Sequence, residues 1–219
     1  MSNMPSPVTM LFLIVALGTI PFAALMVTSY TKLVVVLGLL RTALGVQQVP
    51  PNIVLNGIAL ILTIYIMAPV GSAIVDTMQQ SHVTIDGSMS IDDVMAIGQS
   101  ITPPLKKFLS QHTVPGERNF FMRSATAIWP TERAQSLKSD DLMVLVPSFM
   151  LSELTRAFQI GFVIYVVFVV TDLIVANVLL ALGMQMISPT TISIPFKLLL
   201  FVMLDGWSVL VHGLVLSYR

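Results

Sequence analysis

Charged side chains within apolar sequence are the first candidates for chemistry in this chain. Asp172 and Asp205 both lie in long apolar segments. Two facing carboxylates that share one proton could perform intramembrane aspartyl proteolysis there. Lys197 lies in the same predicted helix as Asp205, which argues against such a pair. We therefore do not expect a protease.

Other catalytic constellations are missing from the sequence. The three histidines, His82, His112 and His212, lie in separate regions and have no carboxylate at a metal-ligand spacing. No nucleophile motif or phosphate-binding glycine loop occurs, and the chain contains no cysteine. The sequence therefore predicts a protein that is not an enzyme and that needs no metal or cofactor.

The charges in apolar sequence leave three alternatives open. A charge at bilayer depth costs at least a few kcal/mol, so it faces protein or water. Glu153 and Arg156 are three residues apart and could pair locally, whereas Asp172, Lys197 and Asp205 have no partner at helical spacing. These charges could pair within one protomer, pair between protomers, or line a proton or ion pathway. We expect Glu153 and Lys197 to pair across a protomer boundary, because pairing offsets the burial of both charges.

The composition indicates an integral membrane protein. Apolar residues make up 55% of the 219 residues and charged residues only 10%, against roughly 25% charged in soluble domains. The mean hydropathy is +0.88. The net charge is zero, so the chain lacks the basic footprint of a nucleic-acid-binding protein.

The charges divide the chain into three regions. Fourteen of the 22 charged residues lie in a polar block, residues 76–141, between apolar regions 1–75 and 142–219. The loop expected between the first two apolar segments carries Lys32 and Arg41 and no acid. By the positive-inside rule this loop faces the cytoplasm, so the polar block is predicted to be a small extracytoplasmic helical insert.

The apolar regions predict four long hydrophobic helices. A helix needs about 20 apolar residues to cross the hydrocarbon core, and four segments reach this length: Val8–Tyr30, Ile53–Val75, Phe158–Leu182 and Ile194–Leu216. Internal prolines in three of them, Pro21, Pro69 and Pro195, predict kinks. The expected fold is all-α, with hairpin-like pairs of kinked helices.

The polar block predicts three shorter helices. Apolar residues recur at helical spacing in Ile91–Ile101, and we expect Pro103 and Pro104 to end that helix. Lys106–Gln111 and Asn119–Trp129 are the other two candidates.

An irregular connection is predicted between the last two apolar segments. Gly183–Pro189 combines a glycine, a proline and the two methionines Met184 and Met186. Methionine is unbranched and polarisable, so it can seal an opening against varied surfaces. The alternative is that these are ordinary connector residues.

Three long motifs resemble the SctR/FliP family of type III secretion export-gate proteins. The first is TSYTKLVVVLGLLRTALGVQQVPPN, at residues 28–52. The second is PSFMLSELTRAFQIG, at residues 147–161, and the third is LLALGMQMISPTTISIPFKLLLFVMLDGW, at residues 179–207. The resemblance covers both apolar regions and fades in the polar block. The first apolar segment begins near Val8, without the longer cleavable N-terminus of flagellar members, which favours the virulence-injectisome branch.

The resemblance implies a non-catalytic, multi-pass protein of the bacterial inner membrane. It implies a pentamer joined by SctS/FliQ-like and SctT/FliR-like subunits and seated over SctU/FlhB-like and SctV/FlhA-like components, with unfolded secreted proteins passing through its centre. It also implies a helical gate that projects toward the periplasm, with the hydrophobic helices buried mainly against neighbouring subunits.

The family further implies a pore gasket at Met184, Gln185 and Met186. Family members commonly carry three consecutive methionines there, and Gln185 departs from that pattern. The alternative function is a secondary transporter or ion channel that uses Asp172, Lys197 and Asp205 as a polar relay, although the inverted repeats typical of transporters are not visible.

Overall fold

The chain is helical throughout its regular structure. The computed structural model describes residues 15, 18–19, 21–80, 91–184 and 186–219, and these residues contain helices and no β-strand. A short helical stretch at 21–26 precedes eight helices: α1 (Tyr30–Leu44), α2 (Asn52–Gln80), α3 (Ile91–His112), α4 (Pro115–Ile128), α5 (Thr131–Ser136), α6 (Leu142–Ala181), α7 (Pro189–Met203) and α8 (Gly206–Leu216). The all-α prediction is confirmed.

The long apolar segments differ in their bounds from the sequence prediction. Within the described residues, α2 and α6 are each long and apolar enough to cross a membrane, with 29 and 40 residues. The predicted fourth segment is two helices, α7 and α8, bent by 62°. Ten of the 23 residues of the predicted first segment lie outside the described residues, and its described end breaks at residues 27–29 before α1 begins.

The predicted cytoplasmic loop around Lys32 and Arg41 is instead helix α1. Its apolar residues recur at helical spacing and are buried, including Leu33, Leu37 and Leu40. The helix ends where Gly45 takes a φ of 76°, a left-handed conformation that glycine adopts without strain. The sequence prediction is wrong here because the apolar residues around these two cations follow helical spacing and form a buried helix.

The insert helix α3 continues through Pro103 and Pro104 to His112, so the predicted stop is wrong. The turns beyond the prolines are held by tertiary packing. Phe108 and Leu109 are buried in one cluster with residues of α6. This burial outweighs the two backbone hydrogen bonds that the prolines cannot make. The helix predicted at Asn119–Trp129 is present as α4.

Helix α6 packs against four other helices, α1, α3, α4 and α7. Helices α1 and α6 run parallel. Lys32, near the start of α1, faces Glu153, and Leu40, nearer its end, packs with Phe168, which comes later in α6. Helix α2 returns alongside α1 after the loop at residues 45–51. The insert helices α3 and α4 pack against the first part of α6.

The bend between α7 and α8 turns the chain back toward the start of α1. Asp205 at the bend has a φ of 49°, and Gly206 lies so close to the Phe201 ring that a β-carbon would overlap it. Beyond the bend, Leu214 is buried in one cluster with Leu33 of α1. The end of α8 and the start of α1 are therefore neighbours.

The contact between α1 and α6 depends on a missing side chain at Gly161. A β-carbon there would overlap Leu39 Cδ1 and lie 3.0 Å from Leu39 Cβ. We expect Gly161→Ala to lower the apparent melting temperature of the detergent-solubilised protein. Overpacking costs about 1–3 kcal/mol, and each kcal/mol is roughly 2–4 °C for a chain of this size.

Gly57→Ala is the matched control, because Gly57 lies within α2 and no atom lies within 4 Å of the position that a β-carbon would take there. Glycine to alanine in an open helical position stabilises by roughly 0.5–1 kcal/mol. Equal melting temperatures for the two variants would contradict the close α1–α6 packing.

Candidate functional site

The Glu153 carboxylate is buried where four parts of the chain meet. One oxygen accepts a hydrogen bond from Arg156 Nη1 at 3.1 Å, one helical turn along α6, which confirms the local pair expected from their spacing. The other oxygen faces Lys32 Nζ of α1 at 3.2 Å and accepts a hydrogen bond from the Tyr218 hydroxyl. We call these four residues the Glu153 cluster.

Lys32 is the most constrained member of the Glu153 cluster. Its side chain is 0% exposed, like that of Glu153. Its ammonium lies 3.5 Å from the centre of the Tyr218 ring, in a cation–π contact. Nζ has no hydrogen-bond acceptor in good geometry within the described residues, although the Glu153 oxygen is at ion-pair distance. Electrostatic attraction therefore holds Lys32 in place.

Arg156 connects the Glu153 cluster to the insert. Its Nη1 also donates to the backbone carbonyl of His112, at the end of α3, at 2.9 Å. One turn earlier on α6, the Ser152 hydroxyl accepts a hydrogen bond from Val114 N–H at 3.0 Å. These two bonds fix the α3–α4 junction against α6.

Burial shifts the pKa values of the groups around Glu153. Desolvation lowers the pKa of Lys32 below its usual value, against the opposing attraction of Glu153. Desolvation also lowers the pKa of His112. The pKa of Tyr218 is raised far above its usual value by burial and by the adjacent Glu153 charge. The raised pKa keeps the Tyr218 hydroxyl protonated, so it can donate its hydrogen bond to Glu153.

A second group, the Asp172 cluster, consists of the half-buried Asp172 and the buried Ser193 and Lys197. Asp172 accepts hydrogen bonds from the Ser193 hydroxyl and, at 2.6 Å, from Lys197 Nζ. Lys197 also donates to the Ala43 carbonyl, at the end of α1, at 3.2 Å. The cluster therefore joins α6, α7 and the C-terminal end of α1.

The structure pairs these charges differently from the sequence prediction. Glu153 and Lys197, expected to pair across a protomer boundary, each have a partner of opposite charge in their own chain. An intersubunit contact of either residue stays a prediction. Asp205 is exposed at the α7–α8 bend and has no ion-pair partner among the described residues.

The connection between α6 and α7 has defined ends. Gly183, at a φ of 73°, follows α6, and the amides of Gly183 and Met184 bond to the carbonyls of Leu180 and Leu179 at 3.0 Å each. This is the Schellman pattern that satisfies the last carbonyls of a helix. Pro189 begins α7 at a position suited to proline.

The side chains of this connection project away from the bundle. Met184 is 41% exposed and Met186 is 98% exposed. Gln185 lies outside the described residues, so its predicted place in the gasket has no geometry here. The structure thus places two of the three predicted gasket residues, Met184 and Met186, on an exposed turn.

Sequence reasoning missed two members of the Glu153 cluster. Lys32 was treated as a topology signal, yet it is a single cation followed by LVVVLGLL, as stranded in apolar sequence as Lys197. Tyr218 carries no such signal, because a lone tyrosine after an apolar run has no distinctive spacing. His82 lies outside the described residues, and those residues hold no group of histidines and carboxylates that could bind a metal.

Removing one charge of the Lys32–Glu153 pair should destabilise the protein more than removing both. A lone buried charge costs about 3–5 kcal/mol. We expect Glu153→Gln to be worse than Lys32→Met, because Glu153 retains Arg156 and Tyr218 as donors whereas Lys32 has no second anion. The double variant should recover part of the loss in apparent melting temperature.

Lys106→Met is the control, because Lys106 forms longer bridges, of 3.6 Å to exposed Asp140 and of 3.7 Å to half-buried Asp141. Such surface pairs contribute about 0–1 kcal/mol. Single variants of the buried pair that melt like Lys106→Met would contradict the role assigned to the Glu153 cluster.

The comparison with known proteins agrees with the resemblance seen in the sequence. The model of the FliP family matches residues 13–214. Hypersensitivity response secretion protein HrcR of Ralstonia nicotianae is 55% identical over 213 residues, covering 96% of this chain and 97% of the relative. Yop proteins translocation protein R of Yersinia pestis is 48% identical over 218 residues, covering 100% and 99%.

Virulence protein YscR of Salmonella typhimurium is 39% identical over 219 residues and covers both chains completely. The relatives are thus named for secretion, translocation and virulence, and they match the whole length of the chain. The chain belongs to the FliP family, in its type III secretion virulence branch.

Proposed function

We propose that this chain is a core subunit of a type III secretion export gate. Several copies, five by family resemblance, would join SctS/FliQ-like and SctT/FliR-like subunits over SctU/FlhB-like and SctV/FlhA-like components. Unfolded secreted proteins would cross the bacterial inner membrane through the centre of this assembly. The subunit makes and breaks no covalent bond in this role.

The observation that carries the proposal is the depth of the α1–α2 loop along α6. The Asp172 cluster sets the end of α1 beside Asp172, which lies nine residues, about 14 Å, before the end of α6. The irregular backbone at residues 45–51 therefore lies beside the C-terminal, apolar half of α6. Irregular backbone is tolerated at apolar depth only where protein or a water-filled cavity covers it.

The α7–α8 bend supports the same conclusion. Phe201, which contacts Gly206 at the bend, shares a buried cluster with Phe168 of α6. The exposed carboxylate of Asp205 therefore lies at the same height along α6 as the middle of the C-terminal, apolar half of that helix. A charge in that position requires a partner or water, and we propose that neighbouring subunits provide it.

The apolar surface of the chain is also far larger than its own core needs. A groove of about 750 Å³ between α6 and α7 is lined by apolar side chains such as Val178, Phe196 and Met203. Earlier along α6, Phe162 and Val163 are 67% and 65% exposed. Exposed apolar patches of this extent mark protein or membrane contacts.

The exposed connection after α6 fits the role of a seal. Copies of the Gly183–Pro189 loop meeting on a central axis would form a ring of Met184 and Met186 side chains. Thioether side chains have three rotatable bonds, so such a ring could close and still yield to any passing sequence. A narrow apolar ring would also exclude ions by dewetting. Gln185 would either face the pore or brace the loop from behind.

We further propose that the insert, residues 76–141, lies on the periplasmic side and that the gate projects in that direction. The insert carries the polar surface of the chain, and α3 and α4 cover the first part of α6. The other part of α6, from Phe158 onward, packs against α1 and α7, and its exposed side chains, such as Phe162 and Val163, are available to lipid or neighbouring subunits.

Native mass spectrometry of the detergent-extracted complex tests the gate proposal. We expect a defined hetero-oligomer containing several copies of this chain, because the apolar groove and the level of Asp205 require protein neighbours. A monomer or a simple dimer would instead favour the alternative of a secondary transporter or ion channel with Asp172, Lys197 and Asp205 as its polar relay.

A double Met184→Ala and Met186→Ala variant tests the seal. We expect normal assembly and increased leakage of a small dye or of ions across the inner membrane, because alanine cannot fill the ring. The control replaces two other exposed methionines outside the groove, Met26 and Met143, which are 51% and 72% exposed. Unchanged leakage in the correctly assembled variant would place the seal elsewhere in the complex.

A further inference from the structure

Tyr218, two residues beyond the end of α8, lies at the centre of the Glu153 cluster. We propose that Tyr218 is a latch, which closes the Glu153 cluster and holds α8 against the start of α1. Docking of the segment after α8 then closes the Glu153 cluster in a step of its own, separate from the packing of the other helices.

The ring of Tyr218 contacts two other helices. It stacks on Phe108 of α3 with an interplanar angle of 15°, and the His112 ring meets it edge-on at 5.1 Å. On α1, the Lys32 ammonium lies over the ring. The ring thus covers a buried cation whose one anionic neighbour among the described residues is Glu153, at 3.2 Å.

The hydroxyl of Tyr218 acts on the opposite charge. It donates its single proton to the Glu153 carboxylate, and it lies 3.4 Å from the backbone carbonyl of Ser29. Glu153 is 0% exposed, so water cannot replace this donor while the site stays closed. One side chain therefore completes the environment of both the buried anion and the buried cation.

The connection from α8 to the latch is short and ordered. Helix α8 ends at Leu216, and the amides of Ser217 and Tyr218 bond to the carbonyls of Gly213 and Val215 at 3.0 and 3.2 Å. The position of Tyr218 is therefore coupled to that of α8. Arg219, by contrast, is exposed and makes no side-chain hydrogen bond or ion pair within the described residues.

The latch has a consequence for the order of folding. Without Tyr218, the Glu153 site holds two cations and one anion between α1 and α6, with the Lys32 side of the site uncovered. Tyr218 follows α8 in the sequence, so it reaches this site only after α7 and α8 have been made. Closure of the site thus requires α1, α3, α6 and α8 to be in place together.

A single cysteine at Ser29 can measure latch closure, because the natural chain has no cysteine. Ser29 is 0% exposed, and its hydroxyl has no partner among the described residues, so Ser29→Cys removes no known hydrogen bond. The readout is the rate of maleimide labelling of the full chain in detergent. Ala59→Cys, buried in the α1–α2 core, reports global unfolding, and Ser136→Cys, at an exposed position, reports full reactivity.

We expect Tyr218→Phe, which retains the ring but loses a hydrogen bond to a charged group, to raise the labelling rate at position 29 about tenfold. Deletion of Tyr218 and Arg219 together, which also removes the ring from Lys32 and Phe108, should raise the rate further. Deletion of Arg219 alone should leave the rate unchanged. The cysteine at position 59 should stay protected in all three variants.

Two results would overturn the latch. Equal labelling at position 29 with and without Tyr218 would mean that the segment after α8 does not close the site. Faster labelling at positions 29 and 59 together after the deletion would mean that Tyr218 supports the whole bundle rather than a local closure.

Discussion

Burial of the Glu153 carboxylate constrains how the rest of the chain can pack. A buried charge is tolerated only with close partners and hydrogen-bond donors, and those of Glu153 come from distant parts of the sequence. Lys32 requires α1 to lie along α6, and Tyr218 requires α8 to return to the start of α1. Arg156, in turn, attaches the end of α3. The positions of α1, α3 and α8 around α6 therefore follow from one carboxylate.

The chain satisfies some of its polar groups internally and leaves others for neighbours. At both ends of α1 the buried charges are paired within one chain, by Glu153 at the start and by the Asp172 cluster at the end. The loop after α1 is held in part by Arg41, which donates to the Pro50 carbonyl, but most of its residues are exposed, and the carboxylate of Asp205 has no ion-pair partner among the described residues. In the proposed gate, this division would let a subunit hold its own shape and still contact neighbours through the exposed groups.

The sequence predicted the class of the fold better than the paths of its helices. Composition was sufficient to predict an all-α membrane protein, and the spacing of Glu153 and Arg156 was sufficient to predict their contact. The stop expected at Pro103 failed because packing of Phe108 against α6 lies outside any local pattern. The break at Asp205 was missed because a helix that bends under tertiary contacts has the same hydropathy as a straight one. Tyr218 could not be found, since its partners are distant in sequence.

The fixed ends of the connection after α6 determine how mechanical work would be distributed in a seal built from it. Gly183 completes the hydrogen bonding of α6, and Pro189 begins α7, so the helices end in stable structures on both sides. The deformable part is then limited to the few residues between them. A passing chain would displace soft side chains on a stiff frame, and the elastic strain would not reach the buried charges.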